Sequence, residues 1–201
     1  MKISNNIALC LIFLCLPVGG LLSACAEMAP SIRSPHMSFE NLQKVEVDVA
    51  RIEVRNDYQP PMQNPNVEHL FSTPPYIAAE SLAKRQIIAV GNDNVLRVII
   101  ADASVVREDL PVEEGFWGMM AHEPAEKLQA RLLLRFELVN EMAPDIILGS
   151  AEVVSNRTKT LMEGTSLAAR ERATFSLTED LMKDLNDAML TVVRDTFGRK
   201  N

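Results

Sequence analysis

The chain has 201 residues, with 20 Lys and Arg against 27 Asp and Glu, 3 His, 3 Cys and a formal net charge of −7. That acidic, mixed-sign balance argues against nucleic acid as a partner and against steering toward anionic lipid headgroups. About 175 residues follow Cys25, enough for one domain with its own core.

The chain starts with Met1 and Lys2, and an apolar run then spans Ile7 to Val18. A basic start, a short apolar core and a small-residue step are the three parts of a secretory signal. The run is about a dozen residues long, against the ~20 that a spanning helix needs, and Pro17, Gly19 and Gly20 disrupt it further. It ends in Leu21-Leu22-Ser23-Ala24-Cys25, which resembles the bacterial lipobox. In that class of signal the cysteine thiol receives a diacylglycerol, and cleavage leaves the cysteine as the new N-terminus. Residues 1–24 are therefore expected to be a lipoprotein signal peptide, with Cys25 as the lipidation site. Cys10 and Cys15 would leave with the signal, so no intramolecular disulfide can form in the mature chain. Two or more acyl chains, of the palmitate type, would make a durable anchor, since each buried CH₂ contributes ~0.8 kcal/mol. Loss of Lys2 leaves 19 basic against 27 acidic side chains in the mature part. Ala26 resembles the residue that follows the lipidated cysteine in outer-membrane lipoproteins.

Residues 25–40 contain Pro30 and Pro35 and have no periodicity, which suits a flexible tether. A single domain is expected over 41–201. Its first strand reads from Leu42 to Val54. Val45, Val47 and Val49 set one phase, and Ile52 and Val54 the opposite one. That flip means either a β-bulge or a strand that passes between two environments. Five prolines between residues 56 and 75 exclude regular structure there. A helix is expected from Tyr76 to Val90, with Ala79, Leu82, Ala83, Ile87 and Val90 on its apolar stripe.

Val95–Ala103 is apolar on both faces except at Arg97, so it reads as a central strand. From Leu128 to Val139 all six even positions are apolar, against two of the six odd ones, so this strand has one dry and one wet face. Ile146–Ser155 returns as its hairpin partner. Thr165 or Ser166 can cap a last helix that reaches about Phe197, with Leu177, Leu181, Leu185, Ala188 and Val192 as its stripe. Ser176 and Glu179 spell a second capping box, which allows a break near 174–176. The order β-α-β-β-β-α predicts an α+β two-layer sandwich. It would hold a mixed sheet of about four strands with both helices on one face.

Candidate chemistry is sparse. His36, His69 and His122 show no metal-ligand spacing, so neither a metal nor another cofactor is expected. Asp102 and Ser104 follow the buried strand, but a serine nucleophile needs a sharp turn, a base and an orienting group. A turn is the simpler reading of that pair. Glu113–Glu114 reads as a solvated pair. The segment Gly115–Met120 holds the only Trp, and Phe116, Trp117, Met119 and Met120 form a candidate interaction surface, or else a plug for one end of the core. The run Ala168–Arg172 reads as a solvated helix face, with recognition as the alternative.

Four stretches carry a resemblance: NDYQPP at 56–61, NVEHLF at 66–71, VIIADASV at 98–105 and EGTSLAARER at 163–172. With them the chain resembles a group of lipoproteins of no assigned activity from Gram-negative bacteria, chiefly alphaproteobacteria. The element order is also similar to that of auxiliary lipoproteins of ABC-type envelope lipid-transport systems. The resemblance implies a non-enzymatic lipoprotein of the cell envelope, anchored at the outer membrane and facing the periplasm. It would serve as an accessory or binding component of an assembly or transport system, with a protein partner. The alternative is a structural envelope lipoprotein that binds another protein or the cell wall. A hydrolase built on Asp102 or Ser104 is a distant third.

Overall fold

The computed structural model describes residues 37–111 and 123–198. The signal, Cys25, the tether up to residue 36, His36, Glu113–Glu114, the Phe116–Met120 segment and His122 lie outside them. The described elements are β1 (Val45–Val47), β2 (Arg51–Asn56), α1 (Pro75–Gln86), β3 (Ile87–Ala89), β4 (Val95–Asp102), β5 (Val105–Asp109), β6 (Pro124–Val139), β7 (Ile147–Met162) and α2 (Leu167–Phe197). A 3-10 turn, Glu68–Leu70, interrupts the proline-rich segment.

Alternation in the sequence builds the main sheet. β6 is its spine: β7 pairs antiparallel along one edge for the whole hairpin, while β4 and then β5 pair antiparallel along the other. β2 lies parallel to β4, from Arg51↔Val95 to Asn56↔Ile100, as a helical crossover between two strands requires. The even positions Leu128, Ala130, Leu132, Leu134 and Phe136 are buried. They form one core with Leu82 and Ala83 of α1 and Leu177, Leu181, Leu185, Met189 and Val193 of α2. The fold is therefore the expected α+β sandwich, with five strands in the main sheet instead of four. The fifth is β5. It follows β4 along the same edge of β6 after a register shift at Asp102, so the two are one lane broken by a bulge.

The phase flip after Val49 marks a change of sheet. β1 pairs parallel with β3 in a separate two-stranded sheet, and β2 joins the main one. Gly91 stands at this junction. A Cβ there would lie 2.7 Å from the Val49 nitrogen and 2.7 Å from the Asp48 carbonyl carbon. α1 ends at Gln86, earlier than its periodicity predicts, because Ile87–Ala89 is taken by β1. α2 runs unbroken through Thr174–Ser176. Ser166 caps it, its hydroxyl accepting from Ala169 N at 3.3 Å. Its buried stripe runs through Met189 and Val193, while Ala188 and Val192 are only partly buried. The packed chain already includes Met37 and Phe39, both buried.

The opposite face of the sheet is charged but not wholly wet. Val95, Ile99 and Val139 are buried there, outside the main core. Ile99 is flanked in register by Arg55 and Arg135, whose aliphatic stems can shield it. Arg97 sits between Glu137 at 3.3 Å and Glu53 at 3.8 Å, and Arg135 pairs with Glu152 at 3.0 Å. The exposed Arg135–Glu152 pair contributes at most about 1 kcal/mol.

Candidate functional site

The sheet and α2 have two ends. One holds the β6–β7 turn, the start of β4 and the C-terminus of α2. The other holds β5, the start of β6, the 3-10 turn and the N-terminus of α2. At this second end a groove of about 300 Å³ opens, lined by Val67, Leu70, Phe71, Ser72, Arg107, Leu128, Leu167, Arg170, Glu171 and Thr174.

Its floor is apolar. Val67, Phe71 and Leu128 are buried, while Leu70 and Leu167 keep 68% and 82% of their surface exposed. Two leucines so open to water beside a dry floor are what a contact surface needs and a self-contained core does not. Arg170 spans from α2 to Glu126 of β6 in a two-pronged contact at 2.5 and 2.8 Å. This contact holds the Glu126 carboxyl below the usual carboxylate range and raises the Arg170 guanidinium. Arg107 has a looser partner, Asp109, at 3.4 Å.

One wall of the groove is held from behind by a buried carboxylate. Glu68 is fully buried. It accepts the Tyr58 hydroxyl at 2.6 Å and the Val105 amide at 3.0 Å. Burial first, and then the Glu68 hydrogen bond, push the Tyr58 phenol above its ordinary value. The Tyr58 ring lies 6.3 Å from that of Tyr76 in α1. Backbone bonds from Val67 N to Val105 O, 2.9 Å, and from Arg107 N to Pro65 O, 2.8 Å, complete the attachment of the proline-rich segment to β5. The long loop is thus ordered by pairing with a sheet edge, although it contains almost no regular structure.

All four stretches that carry the sequence resemblance come together here. Tyr58 joins the first to Glu68 of the second, Glu68 joins the second to Val105 of the third, and Leu167 and Arg170 of the fourth face Val67 and Phe71 across the groove. Periodicity does not single out Glu68: a charged residue in a proline-rich loop reads as solvated.

Asp102 and Ser104 form a turn. Asp102 Oδ1 accepts the Ser104 amide at 3.0 Å, and Oδ2 lies 3.2 Å from Arg131 Nε. Within Ala168–Arg172, Arg170 turns inward to Glu126, whereas Ala168 and Arg172 stay exposed. His69 is half-buried, with its Nδ1 enclosed and unpartnered. Among the described residues no group of three or more His, Cys, Asp or Glu is placed to hold a metal ion. No helix among them is long and apolar enough to cross a membrane.

No family model matches the chain, and no curated protein matches it. Solved structures with a similar course include a minor lipoprotein from Acinetobacter baumannii, at 8% identity and a TM-score of 0.39, covering 72% of this chain and 90% of that one. The rare lipoprotein B from Shewanella oneidensis is 14% identical with a TM-score of 0.36, over 70% of this chain and 91% of the other. A protein from Xanthomonas campestris is 13% identical with a TM-score of 0.35, over 76% and 88%. Likenesses this distant assign no role to the chain.

Proposed function

We propose that this chain is a non-enzymatic lipoprotein of the cell envelope, held at the outer membrane through Cys25 and facing the periplasm. Its role is that of an accessory or binding component in an assembly or transport system, and its groove receives apolar side chains of a protein partner. The observation that carries this reading is the groove itself, with a dry floor and the open Leu70 and Leu167 at its edge. Its place supports the same reading. The described chain enters at the opposite end of the domain, where Gln86 at the end of α1 donates to Phe39 O at 2.8 Å. A groove at the far end from that entry is free to meet a partner in the periplasm. Arg170 and Glu126 neutralise one another beside it, so the attraction on offer is mainly apolar.

The test is photo-crosslinking in native membranes, with a diazirine side chain at Leu167 in the lipidated protein. The expected result is a covalent adduct with a subunit of an envelope assembly or transport system, reduced when Phe71→Asp puts a charge on the groove floor. Adducts with peptidoglycan alone, or none, would overturn it.

A further inference from the structure

We propose that the turn between β6 and β7 is a second, non-covalent membrane contact, which dips into the interfacial layer of the bilayer that holds Cys25. This rests on the lipid-anchor reading above and adds to it a fixed orientation of the domain. The turn and the first two residues of β7 carry four large apolar side chains within seven residues, all exposed: Met142 at 92%, Ile146 at 55%, Ile147 at 52% and Leu148 at 51%. Val90, at 50%, stands in the turn that precedes β4 at the same end. Each keeps half or more of its surface open among the described residues.

Four backbone amides of the turn find their acceptors within it. Asn140 Oδ1 accepts from Met142 N at 2.9 Å and from Ala143 N at 3.1 Å. Ile146 N donates to Ala143 O at 2.9 Å, and Asn140 N to Ile146 O at 3.2 Å. Position 144 is a proline without an N–H. A turn built this way can leave water without stranding those amide donors, which is the chief cost of placing irregular backbone in a lipid interface. Glu141 is paired with Arg51 at 2.6 Å. Asp145 is acidic and no basic residue lies between 140 and 148, so the turn offers no attraction to anionic lipid.

The course of the chain says which surface the tip meets. Phe39 is fastened to Gln86, and Val45 pairs with Ile87, at the end of the domain where α1 finishes. Arg51 then opens β2 opposite Val95, which is itself opposite Val139, the last residue before the turn. The chain therefore enters the domain at the end that carries the apolar turn. Cys25 precedes Met37 by twelve residues, a reach of at most about 40 Å when fully extended. An anchor on that leash keeps the entry end near the bilayer, and four exposed apolar side chains at that end give the bilayer something to hold. Shallow insertion of apolar side chains is the ordinary way a protein lies on a membrane without crossing it.

The test uses the full-length lipidated protein in phosphatidylcholine vesicles. In the mature chain Cys25 is capped as a thioether, so a new cysteine can take a polarity-sensitive NBD dye alone. Ile147→Cys probes the turn, and Leu167→Cys probes the opposite end. The expected result is a blue shift and several-fold brightening at Ile147→Cys, quenched by doxyl-labelled lipid, with a water-like signal at Leu167→Cys. A chain that floats with the vesicles while the dye at position 147 stays water-like overturns the turn contact and leaves the anchor standing. Blue-shifted dye that doxyl lipid does not quench places the turn against protein and overturns it too. A chain that does not float, with Cys25 itself taking the dye, removes the anchor and the turn contact together.

Discussion

Glu68 is the residue on which the groove wall turns. A fully buried carboxylate is tolerable only when its oxygens are hydrogen-bonded, and here Tyr58 and Val105 supply the donors. Glu68→Leu leaves both donors without a partner. That change is expected to cost about 2–4 kcal/mol, read as a lower urea midpoint at unchanged slope. Glu68→Gln should cost less, because an amide can accept from Val105 N and donate to the Tyr58 oxygen. Tyr58 adds a pH signature. Its phenol is raised above 10 in the folded chain, so the folded state holds that proton more tightly than the unfolded state does. The resulting stability is complete below pH 10 and declines as pH climbs through the raised value. Tyr58→Phe is expected to flatten that alkaline decline and to lower stability at neutral pH by about 1 kcal/mol. Denaturation midpoints measured from pH 8 to 11 in both proteins check it. None of this is legible in the sequence, where NVEHLF lies among prolines and shows no alternation. Only the pairing of that loop with β5 buries the carboxylate.

At the scale of elements, the β6–β7 hairpin and α2 were readable because their periods are long and regular. β5 was not, since Val105–Asp109 is short and follows an Asp–Ser turn that looks like the end of a strand. The early end of α1 was hidden for a different reason: Ile87–Ala89 fits a helical stripe but is claimed by β1, a tertiary choice that local pattern does not encode. Two substitutions probe the joints between elements. Gly91→Ala drives a methyl into the backbone of Asp48 and Val49 and is expected to cost about 1–3 kcal/mol, where most exposed substitutions cost little. Arg170→Met removes the link from α2 to β6. Glu126 is held below its ordinary pKa by Arg170, so the pair stabilises the fold above that ordinary value, 4.5, and the contribution fades as pH falls through the lowered one. The variant is expected to lose less stability than the parent between pH 5 and pH 3. A parallel acid profile in the two proteins would contradict the assignment.

For the whole molecule, the two ends of the domain differ in what they expose. The entry end carries the apolar turn and the start of the described chain. The far end carries the groove, lined by residues of the second and fourth stretches that supply the sequence resemblance and backed through Glu68 by the first and third. The fold class and the position of the long hairpin were visible in alternation alone, whereas the groove was not, because its parts are scattered over more than a hundred residues and meet only through the β4–β5 bulge and the start of α2. Both proposed roles depend on where the mature chain begins. The most direct measurement is therefore the intact mass, with N-terminal fragment sequencing, of the protein purified from membranes. The expected product starts at Cys25, lacks residues 1–24 and carries a diacylglycerol thioether on that sulfur. A chain that starts at Met1 with its Cys25 thiol open to alkylation would contradict the account.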